Sequence, residues 1–130
     1  MAKTPVKLTV DGYAEREVLM YTYEFERPVG IDGQATGITR GGYITIKVKA
    51  LNDGKPDLLA WLVEKTLAKK GKIEINDNLE NKLIKTIQFE GAYCVNFDEK
   101  WVEGEGHTEV VTLSCQKLDI NGAKYENDWN

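Results

Sequence analysis

Alternation constrains this chain more than any other feature. From Leu19 to Phe25, Leu19, Tyr21, Tyr23 and Phe25 occupy one parity while Met20, Thr22, Glu24 and Glu26 occupy the other. A period of two fits a pleated strand that covers a core with one face and meets water with the other. Tyr43 to Ala50 repeats the pattern, with Ile44, Ile46 and Val48 set against Thr45, Lys47 and Lys49. One-sided strands need a second layer, or a sheet curled onto itself, to bury their apolar faces.

The remaining text supplies further strands and the turns between them. Val6–Val10 is short and leads into Asp11-Gly12, a dipeptide suited to a tight turn, and the strand after it runs to about Arg27. Strands are also predicted at Lys72–Asn76, Lys82–Phe97, Thr108–Leu118 and Lys124–Glu126, with turns at Asp77-Asn78 and Asn121-Gly122. In the long strand Ile87, Phe89, Tyr93, Val95 and Phe97 share a parity interrupted by Gly91, where a glycine can bend the chain. Tyr21, Tyr23, Phe25, Tyr93 and Phe97 are thereby assigned to the core rather than to a stacking platform.

One helix is expected. The turn Asn52-Asp53-Gly54-Lys55 precedes Pro56, which is tolerated in a first helical turn, and Leu59, Leu62, Val63 and Leu67 follow at helical spacing, with Leu58 and Trp61 widening the stripe. Asp57 at the start and Lys65, Lys69 and Lys70 near the end suit the helix dipole, and Gly71 offers a left-handed cap. About seven strands and one helix make a mostly β fold, a barrel or a sandwich with a helix on its side. Residues 28–42 contain five glycines and no periodicity, and a loop of that length usually carries function.

Composition excludes several classes of function. With 17 Lys+Arg against 21 Asp+Glu in 130 residues the chain carries a net charge of −4, which disfavours nucleic acid and anionic membranes as partners. A chain of this length reads as one domain able to build a core without disulfides or a structural metal. Cys94 and Cys115 sit in apolar strand text and are expected to pack as unpaired small hydrophobes. No segment approaches the run of about 18 apolar residues that a membrane span requires, and the first residues lack the apolar core of a secretory signal. The expectation is a protein made in the cytoplasm that leaves, if it does, without a cleaved signal.

Catalytic machinery is not evident. The single histidine, His107, lies in a Glu-Gly-Glu-Gly-His connection that reads as an exposed turn, and Asp98, Glu103, Glu105 and Glu109 read as a solvated acidic turn rather than a calcium site or a carboxylate pair. Two cysteines and one histidine do not make a closed zinc site, and the glycine clusters at Gly30/Gly33 and Gly41-Gly42 lack phosphate-loop spacing. No catalytic residue, metal or cofactor is assigned. The residues alone leave two other classes open: a lipocalin-like barrel with an apolar cavity for a small molecule, and a small β-rich enzyme using the Asp98–Glu109 carboxylates.

A resemblance narrows these readings. Val10-Asp11-Gly12, Glu17-Val18-Leu19 and Tyr21-Thr22-Tyr23-Glu24-Phe25 come first, followed by the Gly33 loop and Arg40-Gly41-Gly42-Tyr43-Ile44-Thr45-Ile46. Leu58-Leu59-Ala60-Trp61, Phe89–Phe97, Val111–Lys117 and Glu126-Asn127-Asp128-Trp129 complete the ordered set. Together they resemble the type VI secretion tube protein family, Hcp (TssD), in its Bacteroidetes-type branch, over nearly the whole chain. The resemblance implies a β-barrel of two packed antiparallel sheets with one helix on its side. It further implies a single tube-protein domain over 1–130 with an extended loop at about 28–42. Such protomers form hexameric rings that stack into a hollow conduit and carry effectors, in company with sheath, baseplate and spike proteins, and the protein is exported by the same machine. On this footing Val29, Gly30, Ile31, Asp32, Gly33 and Gln34 become the candidate ring-stacking loop, and Thr22, Glu24, Thr45, Lys47 and Lys49 the candidate lumen-facing residues.

Overall fold

The computed structural model describes residues 6–27, 29–34, 40–51, 54–64, 67–77 and 82–127. Along the chain run β1 (Val6–Val10), β2 (Arg16–Glu26), β3 (Arg40–Lys49), α1 (Asp57–Val63), β4 (Lys69–Asp77), β5 (Lys82–Val102), β6 (Gly106–Ile120) and β7 (Ala123–Glu126). The strands form one sheet in the order β3-β2-β1-β4-β5-β6-β7, and a further β3–β6 pairing closes six of them into a barrel. Every pairing is antiparallel. The two faces expected to pack are thus the two sides of one curled sheet.

Alternation fills the barrel as expected along β3, where Ile44, Ile46 and Val48 are buried and pack with Leu8, Ile73, Ile87, Val111 and Leu113. Along β2 the parity slips once. The pairing with β3 shifts between Val18 and Met20, so Val18 is buried and Leu19, expected in the core, is 52% exposed. A bulge of this kind adds one residue and turns the following side chains over. Tyr21, Tyr23 and Phe25 then resume the inward face, half-buried against the core.

Two of the irregularities in β5 correct the expected core. Gly91 takes φ 62, after which Ala92 and Cys94 rather than Tyr93 point inward. A second irregularity between Cys94 and Asn96 leaves Val95 exposed and restores Phe97 to the core side. Cys94 and Cys115 are buried and unpaired, and burial pushes their thiols up to about 11 and about 12 respectively.

The helix is shorter than its sequence stripe. It spans Asp57–Val63, with Leu58 and Trp61 buried, while Leu59 and Val63 are exposed. Trp61 anchors it, donating from Nε1 to the Leu67 carbonyl at 3.0 Å and meeting Tyr13 edge to face at 6.3 Å. Lys69 and Lys70 belong to β4, where Lys69 Nζ donates to the Asp11 carbonyl at 3.0 Å and lies 4.4 Å from the Tyr13 ring centroid. Gly71 is not a helix cap. It lies inside β4 between Val10 and Phe89, where an added Cβ would collide with the Thr9 carbonyl oxygen and stand 2.7 Å from Phe89 Cζ. Pairing to two strands outweighs helix propensity here because each residue joins ladders on both sides.

The predicted turns at Asp11-Gly12 and Asn121-Gly122 form. Asp11-Gly12 opens the β1–β2 connection, with Gly12 at φ 84, and Asn121-Gly122 makes a two-residue hairpin turn at φ 50 and φ 101. β3 begins at Arg40, earlier than expected, because Gly41 and Gly42 already lie in the sheet. A Cβ on Gly42 would stand 2.7 Å from Asn127 Nδ2 and 3.0 Å from the Cys115 carbonyl. Asn127 Nδ2 uses that space to donate to the Cys115 carbonyl at 2.9 Å, and Tyr125 Oη donates to Asn127 Oδ1 at 2.6 Å. Asn127 Nδ2 also reaches the Gly41 carbonyl at 3.5 Å, which ties the chain beyond β7 to the start of β3. Pro28, the 35–39 part of the loop, Asn52-Asp53, Lys65, Asn78 and Asp128-Trp129 lie outside the described residues.

A candidate assembly surface and lumen wall

The outward parities of β2, β3, β6 and β5 form one continuous face. Register places Thr22 beside Thr45, Thr45 beside Thr112, and Thr112 beside Asn96. Thr45 Oγ1 and Thr112 Oγ1 are 3.3 Å apart, so a neutral band of hydroxyl and amide groups crosses the four strands. On one side lie Met20, Lys47, Val110 and Asp98, and beyond them Lys49, Thr108 and Lys100; on the other lie Glu24, Tyr43, Ser114 and Tyr93. All five residues predicted to share a wet surface are on this face. Thr22, Glu24 and Lys49 are exposed, and Thr45 and Lys47 are half-buried.

Sequence reasoning missed the contributions of β5 and β6 to this face. In β6 the signal was present, since Val110, Thr112 and Ser114 alternate with buried Glu109, Val111, Leu113 and Cys115, although Thr108 on the same parity is itself buried. In β5 it was hidden by the two parity slips.

The face ends at two unpaired backbone edges. β1 pairs with β2 only at Arg16 and Glu17, so from Leu19 to Glu26 β2 has β3 on one side and no strand on the other among the described residues. β4 pairs with β5 only as far as Ala92, so from Val95 to Val102 β5 has β6 alone as a strand neighbour among the described residues. Successive antiparallel pairings make these two edges run in opposite directions.

The described part of the candidate stacking loop is a folded turn. The Gly30 amide donates to the Gln34 carbonyl at 2.8 Å, the Gly33 amide donates to the Gly30 carbonyl at 3.0 Å, and the Gln34 amide donates to Asp32 Oδ1 at 3.0 Å. Gly33 supplies the required positive φ of 86. The turn presents Ile31 wholly to solvent and Val29 at 62% exposure, apolar surface that the protomer itself leaves uncovered.

The acidic group near the long hairpin divides on inspection. Glu103 and Glu105 lie in the exposed turn and Asp98 is exposed on β5, but Glu109 is buried. Its Oε1 accepts from Arg16 Nη1 at 2.5 Å, and the same Arg16 nitrogen reaches the Lys49 carbonyl at 3.5 Å. The four carboxylates therefore do not form one solvated cluster. Glu109 is held in a buried ion pair that joins β2 to β6. His107 Nε2 lies 3.1 Å from Glu99 Oε1, both side chains being about half exposed. Among the described residues no group of three or more His, Cys, Asp or Glu side chains is placed to hold a metal.

An open groove of about 790 Å³ crosses β1, β4, β5, β6 and β7, lined by Phe89, Leu118 and Tyr125 together with charged residues such as Lys72, Glu90 and Asp119. Its charged, open lining contrasts with the enclosed apolar cavity that a small-molecule barrel requires.

Comparison with known proteins decides the family. The family model described as hemolysin coregulated protein Hcp (TssD) matches residues 2–130. The chain belongs to this family. Among solved structures it is similar to Hcp1 from Flavobacterium johnsoniae, at 27% identity and a TM-score of 0.85, covering 94% of this chain and 98% of that one. This likeness agrees with the Bacteroidetes-type branch. A mutant form of the Hcp1 protein from the E. coli EAEC 042 pathovar is similar at 16% identity and a TM-score of 0.75, with 98% and 100% coverage. Secreted protein Hcp3 from Pseudomonas aeruginosa is similar at 17% identity and a TM-score of 0.63, with 97% and 100% coverage. These two likenesses speak to the fold. A search of the curated proteins found no match. Membership makes the chain a tube-family component of type VI secretion, within a family of structural, secreted and oligomerising proteins. Among the described residues no helix is long and apolar enough to cross a membrane.

Proposed function

We propose that the chain, as a single domain over 1–130, forms hexameric rings that stack into the inner tube of a type VI secretion machine and carry effector proteins. The observation that carries this reading is the pair of unpaired, oppositely directed edges on β2 and β5. Exposed edges are aggregation hazards unless something covers them. A ring in which β2 of each copy pairs with β5 of the next covers both, and it extends the β5-β6-β3-β2 face into an unbroken antiparallel lining. Each copy then offers two different surfaces, the heterologous arrangement that closes into a ring.

In this arrangement Thr22, Glu24, Thr45, Lys47 and Lys49 line the lumen, and a hydrophilic wall suits a conduit that must hold cargo and let it go. Val29–Gln34 reaches the adjacent ring, where Ile31 and Val29 find the apolar contact they lack in the protomer. The chain performs no catalysis, and its partners are its own copies, the sheath, baseplate and spike, and effectors in the lumen.

Solution mass with negative-stain imaging tests the reading. Six copies of 14.7 kDa give roughly 88 kDa, and annular particles at that mass are expected. A monomer at every concentration overturns ring formation. Ile31→Asp is expected to preserve rings and abolish stacking; tubes formed by this variant would remove the loop from the stacking contact.

A further inference from the structure

We infer that one corner of the β5-β6-β3-β2 face is a docking site for carboxylate-rich polypeptide, built from Lys47, Lys49, Lys100 and the hydroxyl of Thr108. The assignment rests on the proposed lumen placement of this face and names the chemistry of the cargo. Lys49 pairs with Thr108 and Thr108 with Lys100, so the two lysines flank one threonine on neighbouring strands. Strands lie about 4.8 Å apart, which sets the two lysine backbones about 10 Å from each other. Lys47 is two residues along β3 on the same side.

Two independent observations point to a missing anion. Among the described residues none of these three ammonium groups has a carboxylate within ion-pair distance, whereas Lys7, Lys72 and Lys117 each do. Between them Thr108 is 4% exposed, and its Oγ1 is a buried side-chain polar atom with no hydrogen-bond partner among the described residues. A buried hydroxyl without a partner is costly, and most such groups find one. Oγ1 is covered in the free protomer, so the side chains over it must move aside as a carboxylate enters between Lys49 and Lys100; the carboxylate then supplies the acceptor for Oγ1–H and the countercharge for the lysines at once. Asp98 shares this corner through the Lys47 row, and Glu17, exposed and next to the Val18–Val48 pair, borders it at Lys49, so three positive charges face two negative ones.

A polypeptide fits better than nucleic acid. Glu24 and Glu26 follow on the same face, and a continuous phosphate backbone would be driven across them, whereas an acidic protein segment can place its carboxylates on the lysine corner alone.

The test is fluorescence anisotropy of labelled hexaglutamate with the purified full chain, its mass measured in the same sample. Binding that weakens with added salt is expected, with a loss of about tenfold in Lys47→Gln/Lys49→Gln/Lys100→Gln from three exposed ion pairs. Thr108→Val, which keeps the side-chain volume, is expected to weaken binding about threefold. Failure of hexaglutamate to bind, equal binding by the triple variant, or tighter binding of an oligothymidylate of the same length overturns the proposal; equal binding by Thr108→Val removes the hydroxyl from the site. All four groups belong to one chain, so a monomer that binds the peptide and loses it in the triple variant upholds the site while rejecting the ring. A ring that ignores the peptide does the reverse.

Discussion

Glu109→Ala should be among the most damaging single substitutions in the barrel. Arg16 is 4% exposed and Glu109 5%, and among the described residues the guanidinium has two acceptors, the Glu109 carboxylate at 2.5 Å and the Lys49 carbonyl at 3.5 Å. Removing the carboxylate leaves a buried cation with one long hydrogen bond. Breaking a buried pair from one side costs about 3–5 kcal/mol, because the remaining charge has lost both its solvent and its partner. Against a total stability of roughly 5–15 kcal/mol that is about a fifth or more of the margin. With a urea m-value of about 1–3 kcal/mol per molar, the unfolding midpoint should fall by more than about 1 M. Urea titrations followed by circular dichroism, at one fixed protomer concentration because assembly contributes to stability, give the number. The apolar double variant Arg16→Met/Glu109→Leu should recover most of the loss, since it leaves no buried charge behind. A shift below about 1 kcal/mol for Glu109→Ala, or a double variant worse than either single one, refutes the argument that uncompensated burial governs this site.

Two further predictions follow from the barrel wall. Gly71→Ala forces a methyl group against the Thr9 carbonyl and to 2.7 Å from Phe89 Cζ, so overpacking should lower stability by about 1–3 kcal/mol; loss of amide-exchange protection confined to β1 and β4 would locate the damage, and unchanged protection there would count against it. The Cys94 and Cys115 thiols, pushed up to about 11 and about 12 by burial, titrate from 9.0 once unfolded. A raised folded value means that stability is fully present below about pH 9 and is lost as pH rises through about 11 to 12. Cys115→Ala should flatten that alkaline decline in a thermal-melt series, and an identical pH profile in the variant would reject the assignment.

The fold was legible because alternation, turn dipeptides and strand length are local signals. β3 needed nothing beyond its own text: Ile44, Ile46 and Val48 face inward and Thr45, Lys47 and Lys49 outward. Asn121-Gly122 turned as its residues require, since its two positive φ values are readily available to asparagine and glycine and to few other residues. Of the candidate site, the β2 and β3 residues were legible for the same reason, and the family emerged from the ordered segments rather than from any one motif.

What local text did not carry was parity across a bulge. Leu19, Tyr93 and Val95 obey the alternation on paper, but each adjoins a position where the ladder inserts a residue or turns on a glycine, and the fit to the neighbouring strand decides which face they take. The Asp57–Leu67 stripe looked like a longer helix because propensity is summed along the chain, while the competing claim on residues 69–77 came from β1 and β5, distant in sequence. Glu109 read as solvated for the same reason: its partner Arg16 is 93 residues away. The sequence alone determined strand identity, turn chemistry and the family. Tertiary structure decided the face each strand shows after a bulge, the burial of the Arg16–Glu109 pair, the unpaired edges of β2 and β5, and the meeting of Lys49, Thr108 and Lys100, because each depends on register between segments that only the closed barrel brings together.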